Sequence, residues 1–335
     1  MPRQNKFQAR GIRRLALAVL VLTVLLPAGC NHSSAEPPGT VTFLVETMPA
    51  NLDPRLGTDA RSQQLDGLIF SSLLEHDSAM NLRGDVAERW DALDTRTYVF
   101  HLRGGVKFHD GRSLTSADVK FTFDSIMSGI RGSTSVLQSP KRGAFRAVQS
   151  IEAPDALTVI FHLSEPNAAF PWSLVRPAVG IVPNGSGPEL AQHPIGSGPL
   201  HFVSARQDEE VVLERNPTYF RDPATIQRAR FRVVPDSVVR ALELRKGTAD
   251  IELNSLTPDM IPVLAAQKDL AVTEEPGTIF SYISFNCEDE ILRNPDVRRA
   301  LAYATDRAML ARTLMRGQAR VADGPLPPNN WAYEP

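Results

Sequence analysis

The chain has 335 residues, 42% of them hydrophobic, with 36 Lys and Arg against 38 Asp and Glu. That is enough apolar material for a globular body that buries its own core, and the 26 prolines weigh against a helical bundle. The first 29 residues hold five of the basic side chains and no acid, so the remainder carries a formal charge of −7; no basic patch interleaved with aromatics points to nucleic acid.

Residues 1–30 read as a processing segment. Arg3, Lys6, Arg10, Arg13 and Arg14 make a basic start, and Leu15 to Leu26 is an apolar run of 12 residues. A membrane span needs about 20 such residues, so a secretory signal is the better reading. Small residues close it at Ala28-Gly29-Cys30, with Pro27 three positions before the cysteine. Residues 31–40, rich in Ser, Pro and Gly, have no periodicity and suit a flexible tether.

The body opens with a β-rich run, Val41 to Val45, followed by Met48-Pro49-Ala50-Asn51-Leu52-Asp53-Pro54. An Asp held extended before Pro marks a strand end. Leu65, Leu68, Ile69 and Leu73 predict a helix over 65–74. Residues 98–103 and 158–163 alternate as half-buried strands, with Tyr98, Phe100 and Leu102 on one face and Val159, Phe161 and Leu163 on the other strand's equivalent. His101 and His162 then point away from the apolar faces. Two strands in register would make them a metal pair; the simpler reading is two solvated imidazoles, since metal sites need more ligands and an outer shell.

Asp110-Gly111 is a hairpin-type turn, and Thr115 with Asp118 is a capping-box pattern. Val119, Thr122, Phe123 and Ile126 follow at helical spacing. Pro194-Ile195-Gly196-Ser197-Gly198-Pro199 fixes a sharp path but is no phosphate loop, because no Lys-Ser/Thr pair opens a helix after it. Val238 to Leu244 reads as a short helix and Ser281 to Asn286 as a strand. Asn294-Pro295-Asp296 starts a further helix, with Val297, Ala300, Leu301, Ala304 and Ala308 as its stripe. Cys287 is expected as a packed thiol. His109, Asp110, Asp118 and Glu88 are polar residues near one another in sequence, but the chain has no Gly-x-Ser-x-Gly or His-Glu-x-x-His motif, and the turn explains His109 and Asp110 better than a hydrolytic dyad does. An enzyme is not expected.

Phe100 to Gly111 (FHLRGGVKFHDG), running on through Leu114 to Thr122 (LTSADVKFT), closely resembles a signature of the extracytoplasmic binding proteins that serve peptide and nickel ABC importers. Leu52-Asp53-Pro54, Pro194 to Pro199, Arg215 to Tyr219 (RNPTY), Gly247 to Ile251 and Val297 to Arg307 (VRRALAYATDR) are similar to further motifs of that family. The resemblance runs from about residue 41 to the end of the sequence.

It implies a mixed α/β fold, a two-lobe clamp like the type II periplasmic binding proteins, with an inserted α+β subdomain and an incomplete second lobe. Lobe I would comprise 41–75 and 195–286, the insert 76–194, and 287–335 the start of lobe II. The end of the leader, Pro27-Ala28-Gly29-Cys30, resembles a bacterial lipobox, in which Cys30 would be lipidated, leaving only Cys287 as a thiol and no intrachain disulfide. Met48, Pro49, Ala50 and Asn51 would line the cleft and offer backbone groups to an extended ligand. Phe285 and Asn286 would join them, and Gly196, Ser197 and Gly198 would form the hinge or crossover.

The implied ligand is an oligo- or dipeptide, delivered to permease subunits by a monomeric, exported protein tethered at the cell envelope, with neither cofactor nor metal. Other cargo (a nickel chelate, heme, an oligosaccharide) or a non-transport, chaperone-like lipoprotein is the alternative. With one jaw absent, residues 31–335 alone are expected to bind peptide weakly or not at all.

Overall fold

A computed structural model describes residues 37–328 and Tyr333, apart from residues 178, 276 and 278. The folded body begins at Gly39. Its elements in chain order are β1 (Thr40–Val45), α1 (Ala60–Ile69), β2 (Leu74–His76), β3 (Leu82–Gly84), β4 (Ala87–Ala92) and β5 (Thr97–Leu102). Then come α2 (Ser116–Ser128), β6 (Ile130–Arg131), β7 (Val136–Leu137), β8 (Val148–Asp155) and β9 (Thr158–Leu163). The series continues with β10 (Leu200–Arg206), β11 (Glu210–Arg215), β12 (Arg228–Val233), α3 (Ser237–Lys246), β13 (Ile251–Glu252), α4 (Met260–Ala265), α5 (Pro295–Ala304) and α6 (Arg307–Thr313).

Two sheets carry the body. The five-stranded sheet has the order β10-β11-β12-β1-β13. β10 to β12 form an antiparallel meander, while β12, β1 and β13 run parallel, Phe43 lying opposite both Phe231 and Ile251. Successive side chains of a strand face opposite ways, so β1 feeds two cores. Val45 packs with Leu65 and Ile69 of α1 and with Leu213 and Phe231. Leu44 packs with Ala241 and Leu244 of α3 and Leu264 of α4. A sheet with parallel strands buried on both sides is the expected result of such crossovers.

The second sheet is antiparallel, in the order β4-β5-β9-β8, with α2 on one face. Phe161 lies at the centre of its core, 5.6 Å from the Phe100 ring, 5.1 Å from Phe123 and 5.2 Å from Phe170. Each fully buried phenylalanine stabilises this layer by about 1.5–3 kcal/mol. α2 starts where the sequence says. Asp118 Oδ2 accepts the Thr115 N–H at 2.8 Å, and Oδ1 accepts the Asn184 N–H at 2.8 Å, so one buried carboxylate caps the helix and ties down a distant loop.

Several expectations are corrected. The helix predicted over 65–74 occupies Ala60–Ile69, because Asp59 caps it by accepting the Ser62 N–H and Phe70 turns extended. Residues 281–286 pair with no described strand, and Cys287 is exposed rather than packed. The helix predicted from Asn294 is broken into α5 and α6, and neither holds a buried residue. Its apolar repeat is present but has no described surface to pack on.

Candidate ligand-binding site

Ligands of open α/β sheets sit beyond the carboxyl ends of the parallel strands. Here those ends are Val233, Val45 and Glu252, and the chain leaving β1 there is Glu46 to Asn51. Val45 still takes part in the sheet, its carbonyl accepting the Val234 N–H at 2.8 Å. Beyond it, among the described residues, the Thr47 and Met48 amides meet no hydrogen-bond partner, and Pro49 has none to offer. Glu46, Thr47 and Ala50 are exposed and Met48 and Pro49 half-buried. Free amides at the end of a sheet strand are the groups that β-augmentation by a peptide uses, although Glu46, Thr47 and Ala50 lie in bends.

The far end of this stretch is firmly held. The Asn51 N–H donates to Ser62 Oγ at 3.1 Å, and Asn51 Oδ1 accepts the Asp53 N–H at 2.8 Å. Burial pulls the Asp59 carboxyl up, but hydrogen bonds from the Ser62 hydroxyl and amide and from the Ala50 amide outweigh it, so it titrates below the usual range. Met48–Asn51 therefore runs from the end of β1 onto the capped start of α1.

Behind it lies an ion pair that the sequence reading did not single out. Asp53 and Arg55 are both fully buried and meet twice, at 2.9 Å (Nε to Oδ1) and 2.7 Å (Nη2 to Oδ2). Arg55 also donates to Ser125 Oγ, Ser186 O and Gly187 O. One guanidinium thus joins the segment after β1, helix α2 and the 186–187 loop. A fork with five donors can satisfy that many acceptors where lysine could not.

Gly196, Ser197 and Gly198 form a densely bonded junction. A Cβ on Gly196 would lie 2.0 Å from Ile69 O, and one on Gly198 2.4 Å from Leu68 O. The Gly198 N–H donates to Ile69 O, and the Ser71 hydroxyl donates to Ser197 O. His109 completes it: its amide donates to Gly196 O at 2.8 Å, Nδ1 accepts the Gly196 N–H at 3.3 Å, and Nε2 lies 3.1 Å from Gly198 O. That pattern fixes the neutral tautomer with the proton on Nε2. Burial holds its pKa down at about 4, opposed by the Gly198 carbonyl. With both nitrogens engaged, His109 is a strut between the 106–113 hairpin and the Gly196–Gly198 junction that leads into β10. A cavity of about 350 Å³ opens beside it, lined in part by Lys107, His201 and Asn216.

The remaining sequence candidates are not gathered here. Phe285 and Asn286 lie in the segment after α4, where Asn286 Oδ1 accepts the Glu288 N–H, and no described contact joins them to Met48–Asn51. Cys30 falls outside the described residues. His101 and His162 are offset in register, facing Thr158 and Thr97. Each lies beside a carboxylate instead, Asp91 at 3.3 Å and Glu152 at 3.1 Å.

Residues 81–335 match the family described as bacterial extracellular solute-binding proteins, family 5 Middle. The chain belongs to that family. This family 5 chain is 31% identical over 299 residues to the glutathione-binding protein GsiB of Pectobacterium atrosepticum, covering 85% of the chain and 57% of that protein. It is 27% identical to the probable D,D-dipeptide-binding periplasmic protein DdpA of Escherichia coli, over 96% of the chain and 63% of that protein.

Among solved structures, the DppA protein of Helicobacter pylori in complex with the peptide STSA superposes with a TM-score of 0.80 at 28% identity, over 88% of the chain and 62% of the neighbour. NikZ of Campylobacter jejuni in complex with Ni(L-His) gives 0.75 at 27%, over 87% and 58%. The fold is that of the type II periplasmic binding proteins, and these relatives are solute-binding proteins, not enzymes. The chain spans about three fifths of their length.

Proposed function

We propose that the protein is the substrate-binding component of an ABC importer and that its cargo is a peptide or peptide-like molecule. The observation that carries this reading is the exposed stretch after β1, where the Thr47 and Met48 amides are free at the carboxyl edge of parallel strands. Main-chain hydrogen bonds grip a ligand without regard to its side chains, so such an edge suits cargo of variable sequence. The names of the relatives, glutathione-binding and D,D-dipeptide-binding, support the same chemistry, as does the peptide held by the DppA neighbour.

The proposal includes export, lipidation of Cys30 and delivery to permease subunits by a monomer. It places lobe I at 41–75 and 195–286, the insert at 76–194 and the start of lobe II at 287–335, with Gly196–Gly198 as the crossover and Phe285 and Asn286 facing the ligand from beyond it. Closure of two lobes supplies the affinity, so residues 31–335 alone would bind weakly.

Calorimetry of the mature protein at the length of its relatives, against a mixed library of di- to pentapeptides, tests the reading. Saturable micromolar binding is expected. No heat with peptides alongside saturable binding of a nickel–histidine chelate or heme would replace the peptide by that cargo.

A further inference from the structure

Arg61 occupies the first turn of α1, two residues after the Asp59 cap that holds the Ala50 amide. It is half-buried, and its described hydrogen-bond partner is the side-chain oxygen of Gln64, reached from Nη1. Its Nε–H is buried with no hydrogen-bond partner among the described residues. Among the described residues no carboxylate lies within ion-pair distance of it. The nearby Arg240 also has a buried Nε without a hydrogen bond, but it differs in donating to Val234 O, Pro235 O and Ser255 O and in having Glu252 3.7 Å from that Nε.

Burial lowers the affinity of the Arg61 guanidinium for its proton, Glu46, Glu252 and Asp59 opposing this at longer range and Arg240 adding to it. Three carboxylates stand against one further guanidinium at this range, so the surrounding field does not itself draw an anion. The unmet directional donors do. A guanidinium presents a planar fork matched to a carboxylate, and a bidentate contact is stronger and more selective than a point charge. Leaving a buried donor unsatisfied is costly, so rotation of the outer side-chain torsions onto an incoming acceptor is favoured.

We propose that Arg61 is a specificity-determining residue that takes a carboxylate of the ligand, the C-terminal group or an acidic side chain, at the carboxyl edge of the parallel strands. The inference rests on the peptide-binding reading and narrows its ligand class to peptides presenting an anion next to the strand after β1.

Two measurements on the mature protein test it. In calorimetry, Ala-Ala-Ala and Ala-Glu-Ala are compared with Ala-Ala-Ala amide and Ala-Gln-Ala. At least one acid should bind about tenfold more tightly than its amide, the ratio collapsing towards one in Arg61→Gln and recovering in part in Arg61→Lys. In nitrogen-15 spectra, the Arg61 Nε–H signal, assigned by its loss in Arg61→Gln, should shift on adding N-acetylglycine and stay in place with N-acetylglycine amide. Equal acid and amide affinities with an unmoved Nε–H signal overturn the role of Arg61 and leave the peptide reading standing. A shifted signal in a protein that binds no peptide upholds the carboxylate site and removes the peptide reading instead.

Discussion

Asp66 is 1% exposed on α1, and neither of its carboxylate oxygens has a hydrogen-bond partner among the described residues. Burial pushes its pKa up to about 8; the Lys141 ammonium opposes this, and Asp53 and Asp59 add to it. The native state therefore keeps a proton that the unfolded chain has lost at its ordinary value of 3.8. Between these two values the folded form binds more protons, so this group makes stability fall as pH rises. Asp66→Asn removes the effect. Its denaturation free energy should gain on wild type by up to about 1.4 kcal/mol per pH unit from roughly pH 4 to 8, with a constant difference outside that window. A difference independent of pH would show that Asp66 is ionised in the fold. His109 acts with the opposite sign: held at about 4 instead of 6.5, it contributes stability above pH 6.5 that is lost as pH falls through 4.

The Asp53–Arg55 pair belongs to the same scale. Removing one partner leaves an uncompensated buried charge, so Asp53→Ala should cost about 3–5 kcal/mol in urea unfolding. Removing the exposed Asp91 beside Arg89 should cost under about 1 kcal/mol. Similar losses at the two sites would mean that Arg55 is not buried. Leu52-Asp53-Pro54 was expected to close a strand, but β1 already ends at Val45 and residues 46–54 lie in no strand, because a proline restrains its neighbour without placing it in a sheet. The ion pair was not legible, since the other Arg55 partners lie 70 to 132 positions away.

At the scale of elements, two kinds of glycine separate. Gly111 has φ +87° with nothing within 4 Å of a Cβ, so Gly111→Ala meets backbone strain alone, about 1–2 kcal/mol. Gly196 does not need a positive φ; it needs room, because its missing Cβ would sit 2.0 Å from the Ile69 carbonyl at the end of α1. Backbone cannot step aside as a side chain can, so Gly196→Ala should lower the melting temperature well beyond Gly111→Ala. The reverse order would separate the turn from α1. The two glycines look alike in sequence; only the approach of another element tells them apart. Elements whose signals are local were read well: the Asp110-Gly111 turn, the start of α2, and β9 residue for residue. α1 was misplaced because its apolar residues extend past Ile69 into Phe70 to Leu74, which are buried in extended form against Asp85, Val179 and Ser197. Periodicity reports burial and does not by itself report helix.

Across the whole molecule, burial is unevenly shared. Residues 40–265 contain both sheets and, among the described residues, every buried apolar side chain, from Leu44 to Leu264. Ile279, Tyr282, Ile283, Ile291, Tyr303 and Leu314, by contrast, are each more than 60% exposed. The repeat Val297, Ala300, Leu301, Ala304 made α5 legible, yet none of those residues is buried, because an amphipathic stripe specifies a helix and leaves its partner surface unnamed. The family match likewise reached this region through local motifs, while Phe285 and Asn286 could be brought to Met48 only by contacts the sequence does not encode nearby. Backbone that lacks ladder bonds and buried contacts opens at little cost in free energy, and proteases act on what opens. Brief chymotrypsin digestion of this 335-residue chain should therefore cut first at Phe280 or Tyr282, leaving a fragment that begins before Thr40 and resists further cleavage. Phe100, Phe123 and Phe161 offer chymotrypsin equally good side chains but lie under 3% exposed in the four-stranded layer, so they should be cut only after global unfolding. First cuts within 87–163, mapped by mass spectrometry, would mean that the aromatic core and not the 279–293 segment is the weaker part, and the division of the chain into a packed body and an uncovered extension would fail.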